Sequence, residues 1–179
     1  MDEWLLIYYS KKGDRRALNE LIENYYQDIY RYCYRRCFGN QGLAEEITQE
    51  VFLRLVHHIK SYRFTGKFRN YLFTIAVNLC TNTLAKKQLP NLSIDTELLA
   101  ADVSTNPVEQ TLESEKKLII KGLIDELPPI QKDVIILRYY HNLRLKDIAQ
   151  ILEIPLSTVK SRLKQGQIKI KSRLEEENL

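Results

Sequence analysis

Between Leu143 and Arg173 the chain reads LRLKDIAQILEIPLSTVKSRLKQGQIKIKSR, and this stretch restricts the fold more than any other. Leu145, Ile148, Ala149 and Leu152 recur at i, i+3, i+4 and i+7, the spacing of one buried face of a short helix. Glu153-Ile154-Pro155 breaks the period, and Ser157 is placed to cap the start of a second helix. At about 100° per residue, Val159, Leu163, Gly166 and Ile170 of that second helix fall within roughly 60° of one another. Ser157, Thr158, Ser161, Lys164 and Gln165 point the other way, and Lys160, Arg162, Lys169 and Lys171 flank them. Two helices about a tight turn, with small polar and amide groups outward and cations at the sides, match a helix-turn-helix. Polar groups would read base edges in the major groove while the cations sit on phosphates. A basic amphipathic helix solvating a bundle shares part of this pattern.

The remainder of the chain points to the same fold class. Six Gly and five Pro in 179 residues, with 44% apolar residues, leave several helical periods and no alternating strand, so the expectation is all-α, with one or two domains. Met1–Tyr9 is partly apolar but follows Asp2 and Glu3 too closely, and is too short, for a signal or a membrane span. No other stretch approaches about 18 uninterrupted apolar residues, so a soluble, cytoplasmic protein is expected. Three cysteines, an odd number, argue against a disulfide framework.

The net charge of +4 conceals a basic–acidic–basic layout. Residues 1–87 carry 14 Lys/Arg against 9 acids, residues 88–115 carry no Lys/Arg and 6 acids, and residues 116–179 carry 13 against 8. With Pro90, Asn91, Ser93, Ser104, Asn106 and Pro107 in the acidic part, the layout reads as two nucleic-acid-facing domains, 1–87 and 116–179, and a linker, 88–115. Leu98-Leu99-Ala100-Ala101 interrupts the polarity of that linker and is expected as a short helical turn.

Three further helices carry site candidates. Arg15–Phe38 is aromatic-rich, and Gly39-Asn40-Gln41-Gly42 ends it. In Leu43–Lys60, Ile47, Val51, Leu55 and Ile59 centre a core face, with Phe52 at its edge. Leu53 lies roughly 160° from that centre, among Gln49, Glu50 and His57. A single exposed leucine is ordinary, but one ringed by an amide, an acid and an imidazole is a candidate protein contact. Lys67–Lys87 is apolar around most of its circumference, and the remaining stripe holds Asn70, Tyr71, Thr74, Asn78, Thr81 and Asn82 without a charge. Solvated faces normally carry Lys and Glu. Neutral hydrogen-bonding groups beside an aromatic suit unpaired bases, with Lys60, Arg63, Lys67, Arg69, Lys86 and Lys87 bracketing them for the backbone. A helix packed against a polar partner protein fits the stripe equally well.

Several strings now stand in order: Glu45-Glu46-Ile47-Thr48-Gln49-Glu50-Val51-Phe52-Leu53; Phe68-Arg69-Asn70-Tyr71-Leu72-Phe73-Thr74-Ile75-Ala76-Val77-Asn78-Leu79; Leu127-Pro128; Leu137-Arg138-Tyr139-Tyr140; and Ile148-Ala149 with Val159-Lys160-Ser161-Arg162-Leu163. In this order and spacing they resemble a bacterial RNA polymerase sigma factor of the extracytoplasmic-function group, which keeps only regions 2 and 4. The resemblance covers about Ala17–Lys87 and Leu118–Leu174. It implies that Glu46, Gln49, Glu50, Leu53, Arg54 and His57 dock on core RNA polymerase. It implies that Arg63, Lys67, Arg69, Asn70, Tyr71, Thr74, Asn78, Thr81, Asn82 and Lys86 recognise and melt the −10 element of promoter DNA, capturing flipped bases. Ser157, Thr158, Lys160, Ser161, Arg162, Lys164, Gln165 and Lys169 would read the −35 element. The resemblance also implies an anti-sigma partner, often membrane-bound in this family, and no small-molecule substrate.

The chain departs from the family pattern at several positions. Glu153 stands where Gly often ends the first helix of the helix-turn-helix, so a strained turn is expected. Gln165-Gly166-Gln167 replaces an Arg-Ala-Arg-like run, Ala85 an Arg, and Tyr71 the usual Trp.

The sequence carries no recognisable catalytic or metal-binding set, and no cofactor is expected. Cys33 and Cys37 stand i, i+4 with no His or further Cys at ligand spacing, so they read as small buried hydrophobes. His57-His58 belongs to no H-E-x-x-H, and Gly66-Lys67-Phe68 lacks the parts of a phosphate loop. The protein is therefore expected not to be an enzyme. A helix-turn-helix regulator that is not a polymerase subunit is the alternative, disfavoured because the N-terminal half shows no alternating βα pattern of a receiver domain.

Overall fold

The computed structural model describes residues 2–87 and 109–176, the side chains of 109–116 excepted. Eight α-helices and no strand occur among them: α1 (Glu3–Lys11), α2 (Arg15–Arg36), α3 (Gln41–His58), α4 (Phe68–Lys87), α5 (Glu109–Asp125), α6 (Pro129–Tyr139), α7 (Leu145–Ile151) and α8 (Leu156–Glu176). None is long and apolar enough to cross a membrane.

Helices α1 to α4 form one bundle. Asp14 caps α2 by accepting from the backbone N–H of Arg16 and Ala17 at 2.8 and 3.2 Å, and Asn40 caps α3 by accepting from Leu43 at 2.9 Å. Asn40 therefore starts α3 at Gln41, two residues before Leu43, where the apolar period begins. Leu21, Ile29 and Tyr32 of α2 meet Val51 and Leu55 of α3 and Phe68, Leu72 and Phe73 of α4 in a core with essentially no exposure. Burial of each such side chain contributes about 1.5–3 kcal/mol. The tyrosines pack around this core as an aromatic chain, Tyr25 and Tyr62 edge-on to Phe68 and Tyr62 against Tyr71.

Helices α5 to α8 form the second unit, centred on Val134, Ile136, Leu137, Ile148, Ile151 and Val159. Ile148 and Ile151 of α7 are buried, and Leu145, Ala149 and the C-cap residue Leu152 are half-buried against the same core. Helix α5 begins at Glu109, inside the stretch expected as linker. The expected turn at Leu98–Ala101 lies outside the described residues.

Three helices end on one device. After α1, α2 and α7, the residue at positive φ is Gly13 (93°), Phe38 (58°) and Glu153 (54°). In each case the next N–H bonds back to a carbonyl five residues earlier: Asp14 to Tyr9, Gly39 to Tyr34, Ile154 to Ala149. Phe38 therefore follows α2 and does not belong to it. Glu153 holds a left-handed conformation that an L side chain adopts only at a cost, the strain its sequence position implies.

The two units touch where α2 meets α6 and α4 meets α7, along a seam that carries polar pairs and, beside them, the His141 ring packed on Tyr32 and Phe73. The Asp133 carboxylate of α6 accepts from Tyr32 Oη at 2.8 Å and from Arg36 Nε at 2.6 Å. Asp28 meets His141 Nδ1 and Arg69 Nε, each at 2.7 Å. The Arg35 guanidinium lies 3.9 Å over the Tyr140 ring, and Lys132 Nζ lies 3.6 Å over Phe38.

Candidate nucleic-acid and polymerase interface

Three separate surfaces carry the residues singled out in the sequence. On α3 the inward face is closed, with Ile47, Val51 and Leu55 buried and Thr48 bonded to the Ala44 carbonyl. Leu53 stands 54% exposed and Val56 42%, with Glu46, Gln49, Arg54 and His57 exposed around them and Glu50 half-buried. Arg54 Nε pairs with Glu50 at 2.9 Å, an i, i+4 ion pair that neutralises both and leaves the leucine as the salient feature. Val56 projects about 120° from the centre of the core stripe and about 60° from Leu53, so the period already turns it outward beside that leucine.

The second surface is the polar stripe of α4. Phe68, Leu72, Phe73, Ala76, Val77, Leu79 and Cys80 are buried, which turns Asn78, Thr81 and Asn82 outward, exposed, with Lys86 beyond them. The first half of the stripe is different. Asn70, Tyr71 and Thr74 are half-buried, and Thr74 bonds the Asn70 carbonyl at 3.0 Å. With Tyr62, Arg63, Thr65 and Lys67 they line an open depression that Gln150 of α7 also borders. The Asn70 side-chain amide donates to Asp147 Oδ1 at 3.0 Å, and Lys67 Nζ reaches Asp147 and Gln150 at 3.1 and 2.7 Å. Arg69 turns to Asp28 and to the His141 carbonyl, 3.0 Å away, so it does not line the stripe. Arg63, on the segment before α4, is exposed.

Electrostatics follow from these contacts. Burial pushes the Asp28 carboxyl up, but hydrogen bonds from His141 and Arg69 and their positive charge outweigh it and hold the group down at about 2. Asp133 goes the other way: burial raises it despite Arg36 and Tyr32. Asp147, more exposed, is lowered: burial raises it, and the hydrogen bonds from Asn70 and Lys67 with the positive charge of Lys67 and Arg144 together outweigh that. Tyr71 is raised by burial and stays a neutral hydrogen-bonding phenol beside the depression.

The third surface is α8. Val159 and Gly166 are buried, and Leu163 and Ile170 half-buried, as their spacing requires. The helix begins at Leu156, and Pro155 O accepts from the N–H of Thr158 and Val159 at 3.0 and 3.1 Å. Ser157 is therefore a first-turn residue and not the cap: the proline ring pre-sets the entry, which the Ser signal obscured. Ser157, Lys160, Ser161, Lys164, Gln165 and Lys169 are exposed, while Thr158 and Arg162 are half-buried at the edges. Gln165 is not wholly free, because its Oε1 accepts from Gln131 Nε2 of α6 at 3.2 Å.

Cys33, Cys37 and Cys80 are buried and unpaired in disulfides. No group of three or more His, Cys, Asp or Glu that could hold a metal ion occurs among the described residues.

Comparison with known proteins fits this arrangement. Residues 21–89 match the Sigma-70 region 2 family and residues 117–169 the Sigma-70 region 4 family. The ECF RNA polymerase sigma factor SigW of Bacillus subtilis is 33% identical over 174 residues, covering 92% of each chain. The ECF RNA polymerase sigma-E factor of Haemophilus influenzae is 29% identical over 180 residues, covering 95% of this chain and 94% of that one. Among solved structures, CnrH in complex with the cytosolic domain of CnrY matches with a TM-score of 0.71 at 17% identity over 96% of each chain. The sigma factor RpoE in complex with the anti-sigma factor NepR from Bartonella quintana gives 0.70 at 15%, over 88% of this chain and 96% of that one. These two bear on the fold, a pair of helical units with the helix-turn-helix second. The SigW match over 92% of both lengths, with region 2 and region 4 in that order, places the chain in the extracytoplasmic-function family of RNA polymerase sigma factors, which direct transcription initiation.

Proposed function

We propose that the three surfaces divide the work of this sigma factor. Residues 1–87 dock on core RNA polymerase through the α3 patch around Leu53 and open the −10 element with α4. Residues 116–179 read the −35 element with α8, and 88–115 connect the two. The alternative, a regulator that acts without joining polymerase, leaves the region 2 match and the Leu53 patch without a role. The chain has no catalysis of its own in this reading: it supplies binding energy and the polymerase supplies the chemistry. Core polymerase and promoter DNA are its partners.

The observation that carries the α4 assignment is the exposed run Asn78, Thr81 and Asn82. It offers hydrogen bonds and no charge on a helix whose other faces are buried. Unpaired bases present edges and π-faces to such groups, and Lys86 and Lys87 at its end suit the backbone. The solved relatives named above are complexes with CnrY and with the anti-sigma factor NepR. By analogy an anti-sigma protein holds this chain inactive in the cytoplasm, at the membrane where that partner is anchored.

Run-off transcription with core polymerase on genomic fragments tests the reading and identifies the promoter. Asn78→Ala with Thr81→Ala should lower open-complex formation on duplex promoter more than on a template already melted at the −10 element. Equal loss on both templates would restrict these residues to single-strand capture or to fold stability.

A further inference from the structure

We propose that the three thiols buried between α2 and α4 form an oxidation site, at which peroxide joins Cys37 to Cys80 as a disulfide. The bond staples the end of α2 to α4 and spares the first unit from irreversible sulfur oxidation.

All three cysteines of the chain meet in one group. Cys33 lies in the last turn of α2, Cys37 is its C-cap residue, and the Cys80 thiol of α4 is in hydrogen-bonding contact with both. Their exposures are 0%, 2% and 0%, and none of the three surfaces described above uses them. The group differs from an apolar spacer in its electrostatics. The hydrogen bond from Cys80, with the positive charge of Arg36, Lys132 and Lys87, outweighs burial and holds the Cys37 thiol below its ordinary value. Cys37 therefore supplies the thiolate, the form that attacks peroxide. The contacts with Cys33 and Cys37, and then burial, push Cys80 up, so it keeps its proton. Cys37 is also the thiol that can be reached. It is followed by Phe38, 53% exposed at positive φ, and by Gly39. Helix ends open locally at far lower cost than the whole fold, and hydrogen peroxide has only two heavy atoms to admit.

Two steps balance the chemistry. The Cys37 thiolate attacks one oxygen of hydrogen peroxide: an S–O bond forms, the O–O bond breaks, and the departing hydroxide takes up the proton the thiol had released. The product is the Cys37 sulfenic acid. The Cys80 sulfur then attacks the Cys37 sulfur: the S–S bond forms, the S–O bond breaks, and the Cys80 proton leaves with the hydroxyl as water. Two thiols have given up two electrons, and one peroxide has become two waters. Without Cys80 the sulfenic acid meets further peroxide and goes on to sulfinic acid, which thiols do not reverse. A sulfinate would add two oxygens and a charge to a close-packed core. The disulfide instead closes residues 38–79, all of α3 included, into a loop that restricts the unfolded chain. Asn78, Thr81, Asn82 and Leu53 point out of that core, so the stapled unit keeps its outward surfaces.

The test exposes the full chain, reduced and then freed of reductant, to hydrogen peroxide in native buffer, with products mapped by peptide mass spectrometry. The parent should yield the Cys37–Cys80 disulfide and keep Cys33 as a free thiol. Its thermal midpoint should rise by about 10 °C and fall back on treatment with dithiothreitol. Once peroxide is removed, it should drive run-off transcription from the promoter identified above as the reduced protein does. Cys80→Ala should instead accumulate sulfinic acid at Cys37, melt lower after treatment than before, and lose transcription. If that variant does not fold, Cys37→Ala is read in its place and should show neither a disulfide nor a rise in midpoint. Thiols that stay reduced until urea unfolds the chain overturn the site, as does a bond formed only between two molecules. A Cys33–Cys80 bond forming in Cys37→Ala as fast as the parent's overturns the role of Cys37. A parent that reaches sulfinic acid as readily as Cys80→Ala, or a stapled protein that no longer transcribes, overturns the protection. A parent that fails to transcribe even when reduced counts against the assigned surfaces, and the mapping and melting results then decide the site.

Discussion

A Cβ added to Gly166 would lie 3.0 Å from Ile135 Cγ1 and 3.2 Å from its Cδ1, so α8 crosses α6 at a point where only glycine fits without adjustment. Ile135 is 2% exposed and has little room to yield. A glycine inside a helix costs about 1 kcal/mol against alanine, and here close packing offsets it. Gly166→Ala should therefore destabilise the chain by about 1 kcal/mol net, overpacking at about 1–3 kcal/mol outweighing the propensity gain. In an Ile135→Ala background the same change should become stabilising, since the added methyl then fills space. Chemical unfolding of the four proteins, followed by helical circular dichroism, gives the cycle; an equal loss in both backgrounds would remove Ile135 as the cause.

Docking predicts a different signature on α3. Leu53 is 54% exposed and spends nothing in the core, so Leu53→Asp should leave the unfolding midpoint nearly unchanged, within about 0.5 kcal/mol. An interface anchor can cost more than about 2 kcal/mol in binding, so competition for core polymerase should fall by more than about tenfold. Val56→Asp should act in the same direction, because Val56 is exposed on the same helix one turn from Leu53. A Leu53→Asp protein that competes as well as the parent would sink the assignment.

Much of this was legible from periodicity. Spacing alone places Leu53 outside, Val159 and Gly166 inside, and the Asn78–Thr81–Asn82 run on the face the core leaves over. Periodicity fails where burial comes from a distant segment. Gln131-Lys132-Asp133 is polar at every position, yet all three are buried, because α6 packs against both α8 and α2. Asp133 finds Arg36 and Tyr32 about a hundred residues earlier, and no local pattern encodes a pairing of that range. The same reason hides His141 and the contact of Asn70 with Asp147. Ser157 is a different failure: two start signals, Pro155 and Ser157, compete within one turn, and the proline prevails.

The acid limb of stability should carry the mark of Asp28. Its carboxyl sits at about 2 in the fold against an ordinary 3.8, so its contribution is fully present above about pH 4 and is lost as the pH falls toward 2. The shift corresponds to about 2 kcal/mol at an exposure of 28%, and Asp28→Asn should remove that slope. Asp133, raised by burial, works in the opposite sense, being favoured when protonated, so the informative quantity is the difference between parent and Asp28→Asn. Urea unfolding at pH 5, 4, 3 and 2 should show that difference shrinking as the pH drops. Parallel curves would mean that His141 and Arg69 do not favour the charged form of Asp28.

The last expectation separates readout from anchoring on α8. Ser157, Ser161 and Gln165 are exposed opposite Val159, and Lys160, Lys169 and Lys171 are exposed at the sides, so the first set should meet base edges and the second phosphates. Gln165 is the sharpest probe, since Gln131 already donates to its Oε1 and so fixes which way the amide faces. One lone pair of that oxygen and both amide hydrogens stay available, which suffices for a bidentate contact. Gln165→Ala should relax preference at one −35 position by about 1–3 kcal/mol. Gln131→Leu should soften the same preference less, by freeing the amide to turn without removing it. Lys160→Ala should weaken every promoter alike and lower the salt slope by about one counterion. Run-off transcription on a −35 point-mutant series at two salt concentrations distinguishes these outcomes. If Gln165→Ala lowers all templates uniformly while Lys160→Ala changes the preferred base, the helix sits rotated in the groove, and the polar and cationic faces exchange roles.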